Sequence, residues 1–102
     1  MIKTMVVRYK VKPGMADENQ RLIEQVFAQL ERDKTQGVRY QSFRLEDGVS
    51  FMHVATREGG PDDSPLVKLE SFKAFVAGIR DRCTEPPLQT EATPIGRYDA
   101  LA

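Results

Sequence analysis

Apolar and polar residues alternate along this chain with two different periods, and the switches between them predict its elements. From Ile2 to Lys12 the alternation is at every second position, with Met5, Val7, Tyr9 and Val11 on one face and Thr4, Val6, Arg8 and Lys10 on the other, as in a half-buried strand whose first face meets helices. Pro13-Gly14 ends it. From about Met15 to Lys34, Leu22, Ile23, Val26, Phe27 and Leu30 fall on one stripe of a helix, with Asp17 and Glu18 in the first turn, where acids suit the dipole, and Gly37 as terminator. Two strand-like runs then span Val38 to Arg57 and meet at Asp47-Gly48, a pair that favours a two-residue type I′ turn. That turn sets Glu46 opposite Val49, Arg44 opposite Phe51, Ser42 opposite His53 and Tyr40 opposite Ala55 on one face. The other face carries Phe43, Leu45, Met52 and Val54, which are expected to meet the helices and leave the first set on an open face.

Glu58 to Ser64, EGGPDDS, reads as a loop, with Asp62-Asp63 solvated ahead of a helical turn that Ser64-Pro65 can open. Phe72, Phe75, Val76, Ile79 and Cys83 then recur at helical spacing and predict a second helix ending near Cys83, with Ser71 at or near its start. Glu85-Pro86-Pro87 breaks it, and Leu88 to Asp99 reads as a last strand whose Pro94 argues for an edge and whose Tyr98 is expected to anchor it. The order strand, helix, strand, strand, helix, strand predicts an α+β, ferredoxin-like βαββαβ fold, with two helices on one face of a four-stranded antiparallel sheet.

Composition narrows the function classes. The 102 residues are read as one domain, 1–102, small enough that much of its surface would stay wet in a monomer. Fifteen basic and fifteen acidic side chains give a net charge of zero, so no single-sign field draws the chain to nucleic acid or an anionic membrane. No apolar run approaches the roughly 20 residues that cross a bilayer, and the N-terminus lacks a signal peptide's apolar region, so a cytoplasmic location is expected. The single cysteine, Cys83, excludes an internal disulfide and is read as a small buried hydrophobe. No second histidine or cysteine supports a metal site, and Gly59-Gly60 lacks the lysine and hydroxyl residue of a phosphate loop.

The expected open face mixes Val6, Arg8, Tyr40, Ser42, Arg44, Val49, Phe51 and His53, more apolar than a small monomer usually exposes. A second copy packed sheet to sheet is the simplest cover, giving a homodimer with a cavity between the sheets. An RNA-recognition domain shares this element order and stacks bases on sheet aromatics, and Phe51 sits where one would be expected. Its glycine-aromatic pattern is missing, however, and the first strand offers no aromatic on that face, so no nucleic-acid partner is expected.

The segments VVRYKVKPGMADE, SFMHVATRE, SPLVKLESFKAFVAGIRDRC and EPPLQTEATPIGRYD together resemble the antibiotic biosynthesis monooxygenase-like proteins of the dimeric α/β-barrel superfamily. The resemblance spans nearly the whole chain. It implies a cofactor-independent monooxygenase acting on a small aromatic or quinol in a dimer-enclosed pocket; the alternative is a non-catalytic dimeric module of the same fold that binds a small hydrophobic ligand or serves assembly. The haem-degrading branch of that group carries an asparagine, tryptophan and histidine triad; this chain has no tryptophan and its one asparagine, Asn19, opens a helix, so no haem or other cofactor is expected.

Under that resemblance His53 is the candidate base, since imidazole moves protons near neutral pH and cofactor-free oxygenation needs an electron-rich anion. Arg44 is the candidate catalytic partner, and Arg8, Tyr40, Ser42 and Phe51 are the candidate substrate contacts on the same face. The plain alternative for His53 is a hydrogen-bonded structural residue, and for the arginines, ion pairs with acids.

Overall fold

The computed structural model describes residues 2–59 and 64–101, so residues 60–63 of the expected loop, with Asp62 and Asp63, lie outside the described residues. The strands are β1 (Ile2–Val11), β2 (Val38–Arg44), β3 (Ser50–Glu58) and β4 (Cys83–Ala92), and the helices α1 (Ala16–Asp33), α2 (Glu70–Val76) and α3 (Ile79–Arg82). Single 3-10 turns, Pro13–Met15 and Leu66–Lys68, precede α1 and α2. The strands pair antiparallel in the order β2-β3-β1-β4, the ferredoxin-like α+β arrangement. No helix among the described residues is long and apolar enough to cross a membrane.

β1 is the strand that decides which face is covered. It sets Val7 opposite His53 and Tyr9 opposite Phe51, and residues directly opposite in an antiparallel ladder share a face. Tyr9, Val11, Phe51 and His53 are all buried beneath the helices, with Ile23 and Val26 of α1 and Phe75 of α2. The hairpin register is the one read from the sequence, Ser42 opposite His53 and Arg44 opposite Phe51, but its faces are reversed. Phe43 is exposed and Met52 and Val54 are only half buried on the open side, while Phe51 and His53 face the core. Counting aliphatic residues within the hairpin missed what its neighbour dictates: once Tyr9 faces inward, the rings of Phe51 and His53 must follow it.

The turn also differs from the expected type. Gly48 takes a left-handed conformation (φ 79°) but Asp47 does not, whereas type I′ needs positive φ at both. Instead the Gly48 N–H bonds the Leu45 carbonyl, and the Asp47 carboxylate accepts the Ser50 hydroxyl and the N–H groups of Ser50 and Val49. These bonds, the Ser50 hydroxyl foremost, hold the Asp47 carboxyl down at about 2.

The helices depart from the expected spans where the backbone bends. α1 closes on Lys34 in the left-handed region (φ 49°), ahead of Gly37. Gly78 (φ 76°) splits the expected second helix into α2 and α3. Cys83 opens β4 opposite Val11 and is only half buried, so it does not close a helical stripe. β4 therefore begins before Pro86-Pro87 and ends at Ala92, leaving Pro94 outside the strand and Tyr98 92% exposed. An edge strand tolerates both prolines, and its register against β1 shifts around Lys10, next to them.

Candidate functional site

A half-open cavity of about 480 Å³ lies between the covered face of the sheet and the layer formed by α2, α3 and the Leu66–Lys68 turn. Its walls are mostly apolar: Val7 and Ala55 come from the sheet, and Leu66, Phe72, Phe75 and Ile79 from the helical layer. Tyr40, His53, Arg57, Arg80 and Gln89 add polar groups, and no carboxylate lines it among the described residues. Its size and mixed lining are those of small-molecule sites. The helical wall is fixed from α1, where the Gln29 side-chain Oε1 accepts the Ser71 N–H (2.9 Å) and hydroxyl (2.5 Å) and so caps the start of α2 from outside.

A buried polar chain runs behind the cavity. The Arg82 guanidinium donates from Nε to Asn19 Oδ1 (3.1 Å) and to the carbonyls of Phe75 and Ala77. Asn19 Nδ2 donates to Tyr9 Oη at 2.9 Å. Tyr9 Oη and His53 Nε2 are 2.8 Å apart, and on the far side of the ring Nδ1 lies 2.6 Å from Ser42 Oγ and 3.3 Å from Tyr40 Oη. Every link is satisfied, as a polar chain at this depth must be. Burial pushes the Tyr9 and Tyr40 phenols up, partly offset by the Asn19 amide at Tyr9 and the nearby Ser42 hydroxyl at Tyr40, and it holds His53 down at about 4. His53 is thus neutral at pH 7.

Of the residues singled out in the sequence, the fold brings His53, Ser42 and Tyr40 together, on the helix-covered face and not between two sheets. Phe51 is fully buried and stacks on Tyr9 (5.7 Å between centroids) without lining the cavity. Arg44 lies at the other end of that face, where it binds Asp17 (3.1 Å), Gln20 (2.8 Å) and the Gly48 carbonyl (2.9 Å) and ties the hairpin turn to the start of α1. Arg8, opposite Met52 and Leu88, is on the open face, so the sheet separates it from His53.

Sequence reasoning missed Asn19 and Arg82 and took Tyr9 for packing alone. A signal was present for each. Asn19 sits three and four residues before Leu22 and Ile23, inside the α1 stripe, and Arg82 sits three and seven residues after Ile79 and Phe75. A polar residue on an apolar stripe is a buried one that needs partners.

No family model matches the sequence, and no curated protein is significantly similar to it. Solved structures do match in fold. A candidate antibiotic biosynthesis monooxygenase from Bacteroides thetaiotaomicron superposes with a TM-score of 0.80 at 13% identity, covering 99% of this chain and 96% of that one. Another from Nitrosomonas europaea gives 0.75 at 14% identity over 92% and 90%. SnoaB, a cofactor-independent oxygenase from Streptomyces nogalater, gives 0.67 at 18% identity over 94% and 95%. With its strand order, its two-helix cover and these superpositions, the chain has the ferredoxin-like fold of the antibiotic biosynthesis monooxygenase proteins.

Proposed function

We propose that the chain is a cofactor-independent monooxygenase that takes a flat, largely apolar phenol, quinol or anthrone-like compound into the cavity between the sheet and α2 and α3. The observation that carries this reading is the cavity lining: apolar walls, the hydroxyl of Tyr40, and the guanidinium group of Arg80. A cation beside a bound phenol favours its anion, which is the form able to give an electron to dioxygen. The substrate itself is the reductant. At a ring methylene, one oxygen atom becomes the carbonyl and the other leaves as water with the two methylene hydrogens, so atoms and electrons balance. His53, held near 4, is a weak base at neutral pH, and the Arg80 guanidinium favours the phenolate in its place. Arg44 and Arg8, both away from the cavity, have no part in this chemistry.

The reading includes a homodimer packed through the open sheet face, where Phe43 and Leu88 are 38% and 69% exposed beside Val6, Met52 and Val54. The cavity belongs to each subunit, so the dimer does not enclose it.

Oxygen uptake with a panel of hydroquinones, anthrones and flavonoid-like phenols tests the proposal. Wild-type protein should consume oxygen with at least one class, and Arg80→Gln should slow it about tenfold, the loss of one charged contact. Saturable binding without uptake would replace the enzyme by a non-catalytic binding module; neither binding nor uptake would remove the cavity as a site.

A further inference from the structure

The polar chain behind the cavity has a direction. A guanidinium can only donate, so Arg82 fixes the Asn19 amide with Oδ1 toward itself and Nδ2 toward Tyr9. Tyr9 Oη already accepts from Asn19, and among the described residues its own hydroxyl proton has one other hydrogen-bond partner, His53 Nε2, at 2.8 Å. Nε2 is therefore an acceptor, and the neutral ring carries its proton on Nδ1, facing Ser42 Oγ at 2.6 Å. Tyr40 Oη lies 3.3 Å from the same Nδ1, so its inward side faces that donor, and it lines the cavity.

We infer that Tyr40 is the group that donates a hydrogen bond to a ligand oxygen, and that Arg82 and Asn19 are positioning residues that set this polarity through Tyr9 and His53. The cavity is accordingly selective for an acceptor: a ring ketone, a quinone, or the enolate or phenolate of the substrate. His53, its Nε2 lone pair occupied by Tyr9, transmits the polarity and is not a proton acceptor. This deepens the oxygenase reading and rests on the same cavity, but it concerns recognition and can be read without turnover.

The chain has a single histidine, so nitrogen-15 imidazole spectra of the full-length protein report its tautomer without assignment. The wild type should show the proton on Nδ1. Asn19→Asp keeps the shape and still accepts from Arg82 but cannot donate to Tyr9; the Tyr9 hydroxyl then turns to the carboxylate, Nε2 becomes a donor, and the histidine should switch to the Nε2-protonated form. Two tricyclic probes of one outline, 9-fluorenone and fluorene, read the consequence in binding. Wild-type protein should prefer fluorenone by about fivefold to tenfold, the worth of one hydrogen bond. Tyr40→Phe and Asn19→Asp should both bring that ratio to about one, with fluorene affinity unchanged.

An Nε2-protonated wild type overturns the inference, as does a fluorenone preference that survives in Tyr40→Phe, equal binding of the two probes, or binding of neither. If Asn19→Asp does not fold, the wild-type tautomer and the Tyr40→Phe ratio decide alone. A chain that prefers fluorenone but consumes no oxygen keeps this inference and loses the oxygenase; oxygen uptake with the Nε2 form does the reverse.

Discussion

Packed between the rings of Tyr9 and Tyr40 and against the edge of Phe75, His53 has been taken almost wholly out of water, and desolvation moves its pKa from 6.5 to about 4. The unfolded chain takes up a proton near 6.5 while the folded one resists until about 4, so the unfolded state binds more protons in between and stability falls as pH drops through that window. Taken in full, a shift of that size corresponds to on the order of 3 kcal/mol. Urea unfolding at pH 7 and pH 4.5 should show most of this loss in the wild type and little of it in His53→Gln; a folded-state titration midpoint above 6 would contradict it. Tyr9→Phe should cost about 1–3 kcal/mol, because it leaves the Asn19 amide and His53 Nε2 without a partner at full burial. An unchanged denaturation midpoint would mean that the Tyr9 hydroxyl contributes nothing there. Much of this was legible at the level of residue type and register: His53, Ser42 and Tyr40 were paired correctly from one turn signal. Asn19 and Arg82 were not, since their importance comes from a contact 63 positions apart in sequence that no local pattern encodes.

The break between α2 and α3 is the element on which the cavity depends. Gly78 in the left-handed region lets the chain leave α2, turn, and bring Ile79 and Arg80 to the wall that Phe72 and Phe75 begin. Gly78→Ala meets open space, its nearest neighbour being Arg82 Nη1 at 4.0 Å, so the cost is conformational: about 1 kcal/mol of stability, seen in the unfolding midpoint, together with weaker fluorenone binding. Unaltered stability would show that α2 and α3 can join as one helix. Helical spacing from Phe72 to Cys83 read as continuous because 3.6-residue periodicity survives one glycine, and only the backbone angle reveals the corner. The hairpin taught the complementary lesson. Its register follows from a local turn, but its inward face is set by the partner strand; Tyr9, placed inward from β1 alone, already implied that Phe51 and His53 lie beneath the helices.

At the scale of the whole molecule, four strands with helices on one side leave the other side of the sheet uncovered. Phe43 and Met52 form one cross-strand pair there and Val54 and Val6 another, a more apolar surface than the one first expected to be open. Light scattering at micromolar concentration should give the mass of two chains, and Val54→Glu, which puts a charge in the centre of that surface, should give one; a monomeric wild type would remove the proposed dimer. Pro86 and Pro87 bear on what kind of association the fold permits. They sit in the outermost strand, β4, and neither has an amide hydrogen; since successive strand residues point their N–H groups to opposite sides, this border offers an incoming strand one fewer bond, just where its ladder is already irregular. Sideways growth of the sheet, the route by which exposed borders template fibres, is thereby opposed along β4. The proposed dimer through the sheet surface is thus kept distinct from open-ended addition along this rim.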